Sequence, residues 1–78
     1  MPTVHVQGGF RIVINTHDHA PAHVHVWYQG DEAVIAILDE IKVRRRDRGF
    51  DRRLLTRALQ IVYENKDYLL ERWGEIHE

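Results

Sequence analysis

The 78 residues make one domain near the lower size limit for autonomous folding, with no Cys for disulfides or a thiolate zinc site. The formal net charge of −1 hides a division: residues 1–41 carry one base against five acids, 42–57 eight bases against two, and 58–78 two bases against five. No apolar run approaches the roughly 20 residues of a membrane span and no signal-peptide layout is present, so a soluble, cytoplasmic protein is expected.

Taken along the chain, Thr3 to Gln7 alternates, Gly8-Gly9 signals a turn, and Phe10 to Asn15 resumes β-type composition. The two segments read as a hairpin. Thr16 to Ala22 is a polar loop containing Pro21, which biases Ala20 toward extended backbone. His23 to Tyr28 alternates again, and Gln29-Gly30-Asp31 turns the chain into Glu32 to Leu38. That run is apolar on both faces, as in a covered or central strand.

Asp39 to Arg48 reads as a basic connector that extends the sheet at most briefly, through Ile41 and Val43. Asp51 is a good helix N-cap, and Phe50 and Leu55 have the spacing of a hydrophobic staple around it. Leu55, Leu59, Val62, Leu69, Trp73 and Ile76 then keep a helical stripe, with Trp73 expected in the core. Asn65-Lys66-Asp67 interrupts the stripe, so two helical pieces are expected. The fold class is α+β: a small, mostly antiparallel sheet of about four strands with one or two C-terminal helices on one face.

Four of the six histidines fall between His17 and His25. Strand side chains alternate faces. With Val24 and Val26 inward, His23 and His25 share the opposite face, together with Trp27. The same parity puts Val4 and Val6 inward and His5 outward, and Phe10, Ile12 and Ile14 inward with Arg11 and Asn15 outward. Histidines are therefore expected on the face that the helices leave uncovered, with His17 and His19 in the loop that leads into it.

Three chemistries suit such a cluster. Two imidazoles serve as general base and acid on a phosphodiester, RNA being apt because its 2′-OH is an internal nucleophile. Alternatively, His19, His23 and His25, with Asp18, hold a divalent metal such as zinc or nickel. In the third reading the cluster is a polar surface that bonds its neighbours or a partner protein. No organic cofactor motif is present, no Gly-rich phosphate loop occurs, and the chain has no Ser or Cys nucleophile.

Arg44, Arg45, Arg46, Arg48, Arg52 and Arg53 form the basic stretch. Arg52 and Arg53 fall in the first turn of the expected helix, where the dipole disfavours cations. An anion such as nucleic-acid phosphate relieves that cost and the mutual repulsion.

Met1-Pro2-Thr3-Val4, Gly8-Gly9-Phe10-Arg11, Asp18-His19 through Pro21 to His23-Val24-His25-Val26, Glu32-Ala33, Gly49-Phe50 and the Leu69 to His77 tail resemble a small prokaryotic family. That family is a domain of unknown function marked by a Pro-Pro-His-Val-His-Val signature. Its members are similar to toxins of the DhiT type, paired with a small antitoxin of the DhiA type encoded nearby. The resemblance implies a toxin of a type II toxin–antitoxin system acting on nucleic acid. It carries over His19, Pro21, His23 and His25 as signature positions, the three histidines being the candidate catalytic residues of an endoribonuclease. The chain departs from the pattern at Ala22, where a second proline is usual, and at Val34, where a lysine often stands. The alternative is a non-catalytic module whose histidine face binds a divalent metal or a partner protein.

Overall fold

The computed structural model describes residues 3–78; Met1 and Pro2, the start of the resemblance above, lie outside the described residues. Five strands run β1 (Thr3–Gln7), β2 (Phe10–Val13), β3 (His23–Tyr28), β4 (Asp31–Ala36) and β5 (Lys42–Arg46), followed by helices α1 (Arg52–Glu64) and α2 (Lys66–Ile76). Each strand pairs antiparallel with the next, giving one sheet in the order β1-β2-β3-β4-β5. The architecture is α+β, as expected, with one strand more than anticipated. The extra strand comes from the basic connector, which supplies the sheet with a charged edge, a composition that discourages edge-to-edge association.

Local chemistry explains the connections. Gly8 and Gly9 both adopt positive φ, at 58° and 83°, between the paired residues Gln7 and Phe10. Gln29 and Gly30 do the same at 49° and 88° between Tyr28 and Asp31. Two consecutive left-handed residues make the tight turn whose twist matches a hairpin. The Asp51 side chain caps α1 by accepting from the Leu54 N–H, and Phe50 and Leu55 both join the core, as the staple spacing requires. The helical stripe breaks at Asn65, whose side-chain amide donates to the Ile61 carbonyl and thereby closes α1 before α2 begins.

The helices cover one face. Phe10, Ile12, Ile14, Val24, Val26, Ala33, Ile35 and Ile37 pack there against Phe50, Ala58, Ile61, Val62 and Leu69. Among the strands whose faces were expected from the alternation, parity fails in β1. The pairing slips between Thr3 and His5, so that two residues of β1 oppose one of β2. Such a bulge exchanges the faces of the residues beyond it. Val4 is buried as expected, but Val6 is 65% exposed, and His5 turns to the helix side, its ring centre 6.4 Å from that of Tyr68 in an edge-to-face arrangement.

Trp73 also differs from expectation. It packs on the core but remains partly exposed, its ring centre 5.2 Å from that of His23 and 3.9 Å from that of His77. No helix among the described residues is long and apolar enough to cross a membrane.

Candidate functional site

The second face of the sheet is built in cross-strand rows. Val13, His25, Val34 and Arg45 are successive partners across β2, β3, β4 and β5, and Arg11, Trp27 and Glu32 form the neighbouring row. His25 thus stands between two buried valines, with Arg45 at the end of its row. The register also slips between Val34 and Ile35, leaving Arg44 as the extra residue of β5. Bulges re-aim side chains, and here both Arg44 and Arg45 line the same cleft.

That cleft has a volume of about 510 Å³ and is walled by His17, Asp18, His19, Ala20, His23, His25, Val34, Arg44 and Arg45. The loop from Ile14 to Ala22 supplies its rim. A turn closed by the Asp18 N–H donating to the Asn15 carbonyl, and by the Asn15 N–H donating back to Asp18 Oδ2 at 3.1 Å, points the Asp18 carboxylate at the sheet.

At the base of the cleft, Asp18, His23 and His25 meet. Asp18 Oδ2 lies 3.1 Å from His25 Nε2 and 3.5 Å from His23 Nε2. The outer nitrogens are occupied. His23 Nδ1 is 3.0 Å from the Pro21 carbonyl, and His25 Nδ1 is 2.8 Å from Glu32 Oε2. A carbonyl or carboxylate can only accept, so each Nδ1 is the donor in its bond, and Nε2 of His25 is likewise the donor toward Asp18 whenever it carries a proton. Glu32 continues the chain, because its other oxygen accepts from Arg45 at 2.6 Å. The rings of His23 and His25 stand 5.3 Å apart, edge to face, and Trp73 lies 5.2 Å from the far side of His23.

This enclosure makes His23 the one buried polar residue among those described, at 8% exposure, although an open face was expected for it. The reason is its place at the start of β3, where the C-terminal turn of α2 brings Trp73 alongside. Electrostatics converge on Asp18. Burial in the turn pushes its carboxyl up, but the Asn15 N–H, the Coulombic attraction of protonated His25 and His23, and the bond to His25 outweigh that, and the net shift is downward.

The structure brings His19, His23, His25, Arg44 and Arg45 into one cleft, with His19 exposed on the rim. It does not bring the rest of the basic stretch there. Arg46 donates to the Phe50 carbonyl on the helix side, and Arg48, Arg52 and Arg53 are exposed around the start of α1. Glu32, Asn15 and Trp73 were not singled out from the sequence for this site. The Gln29-Gly30 turn was legible and fixes the register that puts Glu32 on the face of His25, so Glu32 was recoverable; Trp73 was not, since its contact depends on where α2 ends.

The DUF4160 domain of unknown function matches residues 9–74. The chain belongs to the DUF4160 family. The match begins at the first hairpin turn and runs into α2, so it takes in every residue of the cleft. No curated protein and no solved structure matches this DUF4160 chain.

Proposed function

We propose that this DUF4160 protein is the toxin half of a prokaryotic toxin–antitoxin pair, acting in the cytoplasm on RNA at the histidine–arginine cleft. A small protein encoded nearby is the antitoxin. The observation that carries the reading is that Arg44 and Arg45 share a cleft with four imidazoles. Arg44 is exposed and unpaired among the described residues, while Arg45 is 58% exposed even though it binds Glu32. Both guanidinium groups are available to a phosphate, which they can hold by two parallel hydrogen bonds.

RNA brings its own nucleophile. Attack of a 2′-oxygen on the adjacent phosphorus forms a cyclic phosphate and breaks the bond to the 5′-oxygen. The 2′-OH proton leaves at the Asp18–His23–His25 centre. His19, the exposed imidazole on the rim, is the group available to protonate the departing oxygen. The guanidinium groups stabilise the charge that builds on the phosphoryl oxygens. Sequence resemblance to DhiT-type toxins supports the toxin role, and the cleft supports the choice of a polyanionic target.

A second reading, a metal- or partner-binding module without catalysis, is favoured by one feature. His23 and His25 converge on a single carboxylate instead of flanking a gap the width of a phosphate.

The experiment is expression of the chain in a bacterial host, together with incubation of the purified protein with RNA. The RNA reading predicts growth arrest and cleavage, both lost in the Arg44→Ala/Arg45→Ala variant while its circular dichroism is retained. With two phosphate contacts removed, the slope of log K against log salt should fall by about 1.4, at roughly 0.7 per contact on a single strand. Arrest without RNA binding, or RNA binding unchanged in the double variant, would refute it.

A further inference from the structure

We propose that Asp18, His23 and His25 form a binding site for a divalent first-row transition metal, with Zn²⁺ as a fitting occupant. The inference goes beyond the RNA reading and stands on the geometry of the centre alone.

The donor atoms are already gathered: one atom from each residue lies within 4.8 Å of the others. Tetrahedral ligands about 2.0–2.1 Å from zinc stand about 3.3 Å apart. The two distances from Asp18 Oδ2, 3.1 and 3.5 Å, bracket that spacing. Only the two imidazoles need to draw together.

The groups behind the donors match what a metal site requires. A ligating histidine ordinarily gives its other N–H to a carbonyl or carboxylate, which fixes the tautomer and the ring plane. His23 does so to Pro21 and His25 to Glu32. With each Nδ1 turned outward to its acceptor, the Nε2 atoms of both rings face the same Asp18 oxygen. One divalent ion placed among them engages both imidazoles and the carboxylate together.

The charged side chains agree: the carboxylates of Asp18 and Glu32 stand beside a single guanidinium, that of Arg45. The three ligand side chains are 10–14% exposed, sheltered enough to hold an ion yet open on the cleft side. Three protein ligands with an open position describe a site that keeps water or substrate on the metal. Imidazole and carboxylate without thiolate suit zinc, nickel or cobalt better than magnesium or calcium. Of the set expected from sequence, Asp18, His23 and His25 converge, and the rim residue His19 is not among the converging donors.

The test uses the untagged full chain, stripped with chelator, titrated calorimetrically with ZnCl₂, and separately with CoCl₂ followed by visible absorption. The proposal predicts saturation at one ion per chain and an intense cobalt band of tetrahedral type. Mg²⁺ should neither bind nor compete. His25→Ala and Asp18→Asn should each weaken zinc at least about 100-fold, and Glu32→Gln about 10–100-fold, as expected for a group behind a ligand. His77→Ala, outside the cleft, should leave binding intact.

Circular dichroism shows whether each variant folds. Should the ligand variants unfold, the wild-type titration still decides, because zinc that binds the native site must raise the melting temperature. Absence of saturable binding by the wild type at 100 micromolar ZnCl₂, roughly the weak end for a useful site, would overturn the proposal. So would stoichiometric binding that survives His25→Ala. RNA cleavage plays no part in this readout, so failure here leaves the RNA reading to its own test.

Discussion

The two faces of the sheet bury their central residues by opposite means. On the helix side Phe10, Ile12, Ile14, Val24, Val26 and Ile35 are fully buried in one apolar cluster, with the Arg57 guanidinium over the Phe10 ring. On the other side Val13 and Val34 are as well buried, but the residue between them is His25, and its neighbours are Asp18, Glu32 and Arg45. The first face gains free energy from area removed from water. The second spends part of that gain on desolvating charged groups, which break even only when each finds a partner. A small domain has little core to spare for such a network, and this contrast is what the proposed function rests on.

The comparison breaks most visibly at Phe10, whose ring packs 4.6 Å from Tyr28 and 6.1 Å from Phe50. Phe10→Ala should cost about 3–5 kcal/mol in urea denaturation, a large share of the stability of a domain this size. A loss under about 1 kcal/mol, within the range of an ordinary surface change, would show that the helix-covered face is not what holds the fold together.

A smaller effect is expected across the sheet. Glu32→Gln keeps the shape but removes the charge that joins His25 to Arg45, and should cost about 1 kcal/mol. Zinc affinity should fall by the larger amount in the same variant, about 1.4–2.8 kcal/mol for a 10–100-fold loss. Equal losses in both would erase the distinction between the faces.

Smallest is a dependence on pH. The Asp18 carboxyl is held below its usual range in the folded chain. A group with a lowered folded pKa stabilises the fold above its unfolded value, about 3.9, and that contribution disappears as pH falls through the folded value. Metal-free wild type should therefore exceed Asp18→Asn in stability near neutrality. The gap should close as denaturation is followed downward through about pH 4, near the unfolded value. A gap that persists at pH 2 would assign the effect to packing.

Much of this frame was legible in the residues. Gly8-Gly9 and Gln29-Gly30 announced their turns because only left-handed backbone makes them, and Asn65 announced a break because it interrupts an apolar stripe. Parity placed His23 and His25 on one face. It failed at Val6 and His5, because a bulge is a count of two residues against one and has no composition of its own. The role of Lys42–Arg46 as a strand was masked by its charge, which reads as solvent-exposed connector and is in fact a sheet edge. Asp18 was within view as a ligand, but the turn that aims it depends on backbone N–H groups of Asn15 and Asp18. Nothing in composition reveals such bonds.

The functional face rests on His23 and His25 being clamped through Nδ1, with Nε2 of both turned to Asp18. Proton-coupled nitrogen-15 spectroscopy of the six histidine rings of the metal-free protein tests this directly. Protons on Nδ1 of His23 and His25, distinct from the rim rings of His17 and His19, are the predicted result. Rings that exchange freely between tautomers, or that carry the proton on Nε2 when neutral, would contradict the assignment of a site on this face.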